Sequence, residues 1–116
     1  MAPTNDLIKK MNEIWVMLDQ AENDIGIYDE DAVRKKIAFE QAYARTFMSL
    51  DGSMELRKQQ AILDTVDSRL DFELAEVKLR ACKERIRKLG SQLDIVRSMN
   101  AAQQRQFMTE PIGQYT

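Results

Sequence analysis

Leu50-Asp51-Gly52-Ser53 is the stretch that decides how this chain folds. Glycine reaches the left-handed conformation that closes a helix without steric cost, and a serine directly after it can cap the next helix. On both sides of this stretch apolar residues recur at steps of three and four, the spacing of a helix face. Two helices joined by so short a turn run antiparallel. The expected fold class is all-α: an antiparallel helical hairpin or coiled coil turning at 51–53.

Toward the N-terminus, a helix over about 5–25 is expected to start after Pro3, with Thr4 or Asn5 as N-cap and Asp6 in its first turn. Leu7, Met11, Ile14, Leu18, Ala21 and Ile25 form a heptad seam. Beyond Gly26 the next large apolar series, Val33, Ile37, Ala44 and Phe47, is one residue out of phase. That slip predicts a break near Ile25–Glu30, with Asp29 capping a second helix over about 30–50. A continuous but kinked helix is the alternative.

Toward the C-terminus, no proline lies between Met54 and Phe107. Apolar residues recur at Leu63, Val66, Leu70, Leu74, Val77, Ala81, Ile86, Leu89, Leu93 and Val96, and the last four keep their step across Gly90. One long C-terminal helix over about 54–107 is therefore expected to pack on a shorter, interrupted N-terminal arm, with residues 1–108 forming a single domain. Pro111 and Gly113 predict a flexible tail at 109–116, in which Ile112 and Tyr115 could instead serve a docking peptide.

Composition agrees with long helices. Of 116 residues 31% are charged and 7% aromatic, with four glycines and two prolines. No run approaches the roughly 18 apolar residues of a membrane span, and the N-terminus lacks a basic region followed by an apolar one. A cytoplasmic protein is expected. The single cysteine, Cys82, cannot form an internal disulfide and sits beside the seam, as a small buried hydrophobe would.

Several chemistries lack their residues. There is no histidine, which removes the commonest acid–base group near neutral pH and the commonest zinc ligand. The glycines at 26, 52, 90 and 113 are isolated, so no phosphate-cradling loop is present, and no serine or cysteine lies in a nucleophile elbow. Asp64, Asp67, Asp71, Glu73 and Glu76 form the one carboxylate constellation, but Asp64 and Glu73 are about 900° apart along a helix and face opposite ways. The expectation is a non-enzyme with no catalytic residue, metal or cofactor.

Charge is segregated. Residues 1–31 carry net −6, 32–58 net +3, 59–77 net −4 and 78–116 net +5, within a total of −2. Lys78, Arg80, Lys83, Arg87, Lys88 and Arg97 mark the candidate partner or nucleic-acid stretch; it has no aromatic residue for base stacking. A turn at Gly52 with equal arms would instead bring Asp19, Glu22 and Asp24 to Arg85, Lys83 and Arg80. Ile8, Trp15 and Met17 widen the apolar face of the first helix beyond a single seam and form the candidate apolar interface. A homodimer and a protein partner are expected from these surfaces, with no small-molecule substrate.

Ala42-Tyr43-Ala44-Arg45-Thr46-Phe47, then Asp51-Gly52-Ser53-Met54-Glu55-Leu56-Arg57-Lys58, then Ala75-Glu76-Val77-Lys78-Leu79-Arg80-Ala81-Cys82-Lys83-Glu84-Arg85-Ile86 carry a resemblance of pattern. Over about 33–100 the chain resembles small, uncharacterised all-helical proteins from the early replication and recombination regions of tailed bacteriophages. That resemblance implies an accessory or host-inhibiting factor that binds a protein of DNA replication, recombination or host defence. Direct DNA binding through 78–97 and a virion assembly scaffold or chaperone are the alternatives. Phage Gam-type nuclease inhibitors are similar in their long antiparallel helices, though no local motif matches; secreted WXG-type hairpins share the length but carry Trp-x-Gly where this chain has Asp51-Gly52-Ser53.

Overall fold

The computed structural model describes the backbone of residues 3–114 and the side chains of residues 5–106. It is an all-α hairpin of three helices, α1 (Pro3–Ser49), α2 (Met54–Asp64) and α3 (Val66–Gln114), with α3 packed on α1. Pro3 stands at the first helical position, where its missing N–H is no loss, so Thr4 and Asn5 lie inside the helix and do not cap it. Asp6 falls in the first turn as expected.

The turn forms as the sequence predicts. Gly52 adopts φ 111°, a conformation that side chains oppose. Ser53 caps α2: its Oγ accepts from the Leu56 N–H at 3.2 Å, and its carbonyl accepts from the Arg57 N–H at 3.0 Å.

The interruption falls on the other arm. α1 runs without a break through Ile25–Glu30, so the separate helix over 30–50 does not exist. Nothing lies within 4 Å of where a Cβ on Gly26 would stand, and one glycine costs a helix only about 1 kcal/mol. The break is at Thr65, buried at φ −114° and ψ 16°, which separates α2 from α3. Its Oγ1 donates to the Ala61 carbonyl at 2.7 Å, a back-bond known to bend helices. At the far end α3 is helical to Gln114, past the limit expected near Phe107. The run Ala101-Ala102-Gln103-Gln104-Arg105-Gln106 favours helix, while a proline in a helix interior loses its own N–H bond and crowds the carbonyl four residues earlier, at about 3 kcal/mol. The side chains of the expected tail, and Tyr115 and Thr116 altogether, lie outside the described residues.

The chain divides into two compact units, Met1–Asn23 with Glu84–Thr116 (the terminal unit) and Asp24–Lys83 (the turn unit). The terminal unit has a core of mostly large aliphatic residues: Ile14 and Leu18 of α1, with the small Ala21, bury against Leu89, Leu93 and Val96 of α3. Leu7, Met11, Met17 and Ile86 pack around them. Each such leucine or isoleucine contributes about 1.5–3 kcal/mol by leaving water. Here the sequence seam and the structural seam coincide.

The turn unit differs. Its buried residues are Ala32, Ala61, Thr65, Ala75 and Cys82, all small. On α1 the seam continues in its original phase as Ile25, Tyr28, Ala32, Lys35, Phe39, Ala42 and Thr46; on the second arm it runs Ala61, Thr65, Ser68, Phe72, Ala75, Leu79 and Cys82. Phe39 stacks on Phe72 with centroids 6.3 Å apart and planes at 10°. Tyr43 and Phe47 extend the aromatic line along α1, and the Arg57 guanidinium covers the Phe47 ring at 4.7 Å. The series expected as core, Val33, Ile37 and Ala44 on α1 and Leu63, Val66, Leu70, Leu74, Val77 and Ala81 on the second arm, is exposed; only Phe47 is half-buried. Small residues at the contact let two backbones approach closely, and the larger side chains at neighbouring positions are left outside.

Candidate functional site

In the terminal unit, Ile8 and Trp15, seven residues apart on α1, are exposed at 41% and 49%, with Val16 beside them. The Arg97 guanidinium lies over the Trp15 ring at 5.3 Å from its centroid, a cation–π contact that covers one indole face. Arg97 is thus engaged within its own chain. Met17, expected at this interface, is half-buried and packs against the core instead. Asn5, Ile8, Lys9, Asn12, Glu13 and Val16 line a shallow depression along this face of α1.

In the turn unit, Val66, Leu70, Leu74 and Val77 form an apolar stripe on the outer face of α3, each about half exposed. α2 contributes Leu63 at 67%, and α1 exposes Val33 and Ile37 on its own outer face. The stripe on α3 is edged by ions: Asp71 and Lys78 follow one margin, Glu73 and Arg80 the other, at helical spacing. Sequence reasoning placed these apolar residues in the core and so missed them as surface. The signal that could have located them was the alternative seam of alanines with Phe39 and Phe72.

Of the six candidate cations, Arg80, Lys83 and Arg87 are those whose steps of three and four give a shared side of a helix. Within the turn unit Arg80 and Lys83 lie on one side of α3, and Lys78 is about 160° round from Arg80 at roughly 100° per residue. Within the terminal unit Arg87 and Lys88 diverge by about 100°, and Arg87 donates to the Glu84 carboxylate one turn earlier. That hydrogen bond holds the Glu84 carboxyl below its usual range and pushes the Arg87 guanidinium up.

The salt bridges Glu30–Arg34, Asp31–Lys35, Arg69–Glu73 and Glu84–Arg87 each lie within one helix. The cross-arm pairing expected for Asp19 with Arg85 is out of level. With Trp15 opposite Arg97, Asp19 stands opposite Leu93, eight residues or about 12 Å beyond Arg85. In the turn unit the Phe39–Phe72 contact likewise sets Asp24 seven residues out of level with Arg80. The carboxylates are also dispersed. Asp64 ends α2 and accepts from the Gln60 amide at 2.8 Å, Asp67 opens α3 beyond the break, and Glu73 is held by Arg69 at 3.2 Å. Among the described residues no group of three or more carboxylate or thiol side chains stands where it could hold a metal ion, and no helix is long and apolar enough to cross a membrane.

No known family, curated protein or solved structure matches this chain.

Proposed function

We propose that this chain is a non-enzymatic interaction protein that offers apolar helix faces to other proteins. One observation carries the reading: in the turn unit the fully buried residues are small, while Val33, Ile37, Val66, Leu70, Leu74 and Val77 remain outside. Apolar side chains aligned along an exposed helix face and rimmed by charge are the usual mark of a docking surface. Taken with the sequence resemblance, the partner class is a protein of DNA replication, recombination or host defence, met in the host cytoplasm.

The test is affinity capture with the wild-type chain beside variants in which one face is made polar, Ile8→Glu/Trp15→Glu on α1 and Leu70→Glu/Leu74→Glu on α3. The reading expects a protein retained by the wild type and lost from at least one variant that keeps its helical circular dichroism. Retention by all three chains alike would remove the apolar faces from the account. A duplex-DNA gel shift that falls steeply with salt would replace it with direct nucleic-acid binding.

A further inference from the structure

The stripe on α3 has a property that its exposure alone does not require. Leu70, Leu74, Val77 and Ala81 are spaced by four, three and four residues, and that spacing reads the same in both directions. Turned end for end, these four superpose on themselves, with Leu70 opposite Ala81 and Leu74 opposite Val77, while Val66 at the head of the stripe falls outside the symmetric part. The margins obey the same symmetry. In an antiparallel helix pair each margin meets its own kind, so Asp71 and Lys78 on one edge face Lys78 and Asp71, and Glu73 and Arg80 on the other face Arg80 and Glu73. All four contacts join opposite charges. A parallel pairing of the same stripe matches Glu73 with Lys78 but sets Asp71 against Val66.

We propose that a second copy of this chain docks antiparallel on the outer face of α3, burying Leu70, Leu74, Val77 and Ala81 of both copies between the paired charges. This rests on the reading of the apolar faces as docking surfaces and names the occupant of one of them. Leu70, Leu74 and Val77 are 52%, 51% and 49% exposed, so each has apolar surface left to bury on the single chain. The interior seam of α3, with Phe72, Ala75 and Leu79, lies on the opposite side of the helix and continues to hold α1. The two roles of α3 do not compete. Arg69 already holds Glu73 within the helix at a separation that leaves both more than half exposed, and Glu73 has a second carboxylate oxygen for Arg80 of the second copy.

Sedimentation velocity of the full chain over a range of concentrations tests the proposal. The wild type should sediment as a dimer, and Leu74→Glu/Val77→Glu as a monomer with unchanged helical circular dichroism. The charge variants Asp71→Lys/Glu73→Lys and Lys78→Glu/Arg80→Glu should each associate at least about tenfold more weakly, since every cross-copy contact becomes a repulsion. Mixed in equal amounts, they should recover a one-to-one heterodimer. Orientation is read on a Cys82→Ala background: a chain with Leu70→Cys should cross-link to one with Ala81→Cys and not to itself. A dimer that survives Leu74→Glu/Val77→Glu, or Leu70→Cys chains that cross-link to each other, overturns the arrangement. A monomeric wild type that still captures another protein through Leu70 and Leu74 overturns the second copy and leaves the docking reading standing; a monomer that captures nothing ends both.

Discussion

Phe39 of α1 stacks on Phe72 of α3, and Phe47, eight residues further along α1, meets Arg57, fifteen residues earlier on the second arm. The second arm therefore spends seven more residues than the first between these two contacts. The break at Thr65 lies within that excess, between Arg57 and Phe72. Phe39–Phe72 is the contact that fixes level in a unit whose other buried residues are small. Phe72→Ala should lower unfolding free energy by about 2 kcal/mol, the worth of a half-buried ring with its stacked partner, as read by urea denaturation. A loss as small as that of an exposed residue would remove Phe72 from the seam.

Two leucines of α3 separate interior from surface. Leu93 is 4% exposed in the terminal core, and Leu93→Ala should cost about 2–5 kcal/mol. Leu70 is 52% exposed, and Leu70→Ala should shift monomer stability by no more than about 0.5 kcal/mol. The comparison belongs at low protein concentration, where association adds nothing to stability. Equal losses at both positions would show that the stripe is core.

Gly52 holds φ 111°, and a Cβ added there would meet Leu56 Cδ2 at 3.3 Å. Gly52→Ala should cost about 1–2 kcal/mol through the left-handed backbone, with the neighbouring leucine end able to yield. Thermal unfolding of the two proteins checks this, and a variant as stable as the wild type would mean that the turn re-forms without a left-handed residue.

The Glu84 carboxyl sits below its ordinary value, first because the Arg87 guanidinium donates to it and then through the positive charges of Arg87 and Lys88. A depressed carboxyl gives its full stabilisation above the ordinary glutamate range and loses it as pH falls through the lowered value. Both side chains are exposed, so the effect on folding is small; the titration itself is the readout. Carbon-detected NMR should place the Glu84 midpoint below that of an unpaired glutamate, and Arg87→Gln should raise it. A midpoint indifferent to Arg87→Gln would dissolve the pair.

Legibility in the sequence followed side-chain size. In the terminal unit the seam positions themselves carry large aliphatics, so Ile14, Leu18, Leu89 and Leu93 were readable as the seam even with Trp15 and Ile95 exposed beside it. Asp51-Gly52-Ser53 was equally plain, because a left-handed glycine and a serine cap have few other uses in tandem. In the turn unit two heptad phases compete, one of large aliphatics and one of alanines with Phe39 and Phe72, and a reading weighted by hydrophobicity takes the larger series. The same weighting turned a continuous seam at Ile25–Tyr28–Ala32 into an apparent slip at Gly26. Thr65 looked like one more helical residue; its hydroxyl bond to Ala61 is a local competition that composition does not announce. The cation stretch was legible as charge, and the common side of Arg80 and Lys83 from their step of three, with Lys78 turned away by helical rotation.

An interior built on Ala32, Ala61 and Ala75 responds to mutation in the reverse of the usual order. Most core positions suffer when atoms are removed; at these alanines there is almost nothing to remove, and added bulk is what would be felt. Ala75→Leu would act as a wedge, prising the arms apart where shaving a methyl would hardly be felt. Random variation in the turn unit is thus filtered by bulk at the alanine positions and by polarity at the leucines outside them. Selection on the two sets would be separable in a deep mutational scan.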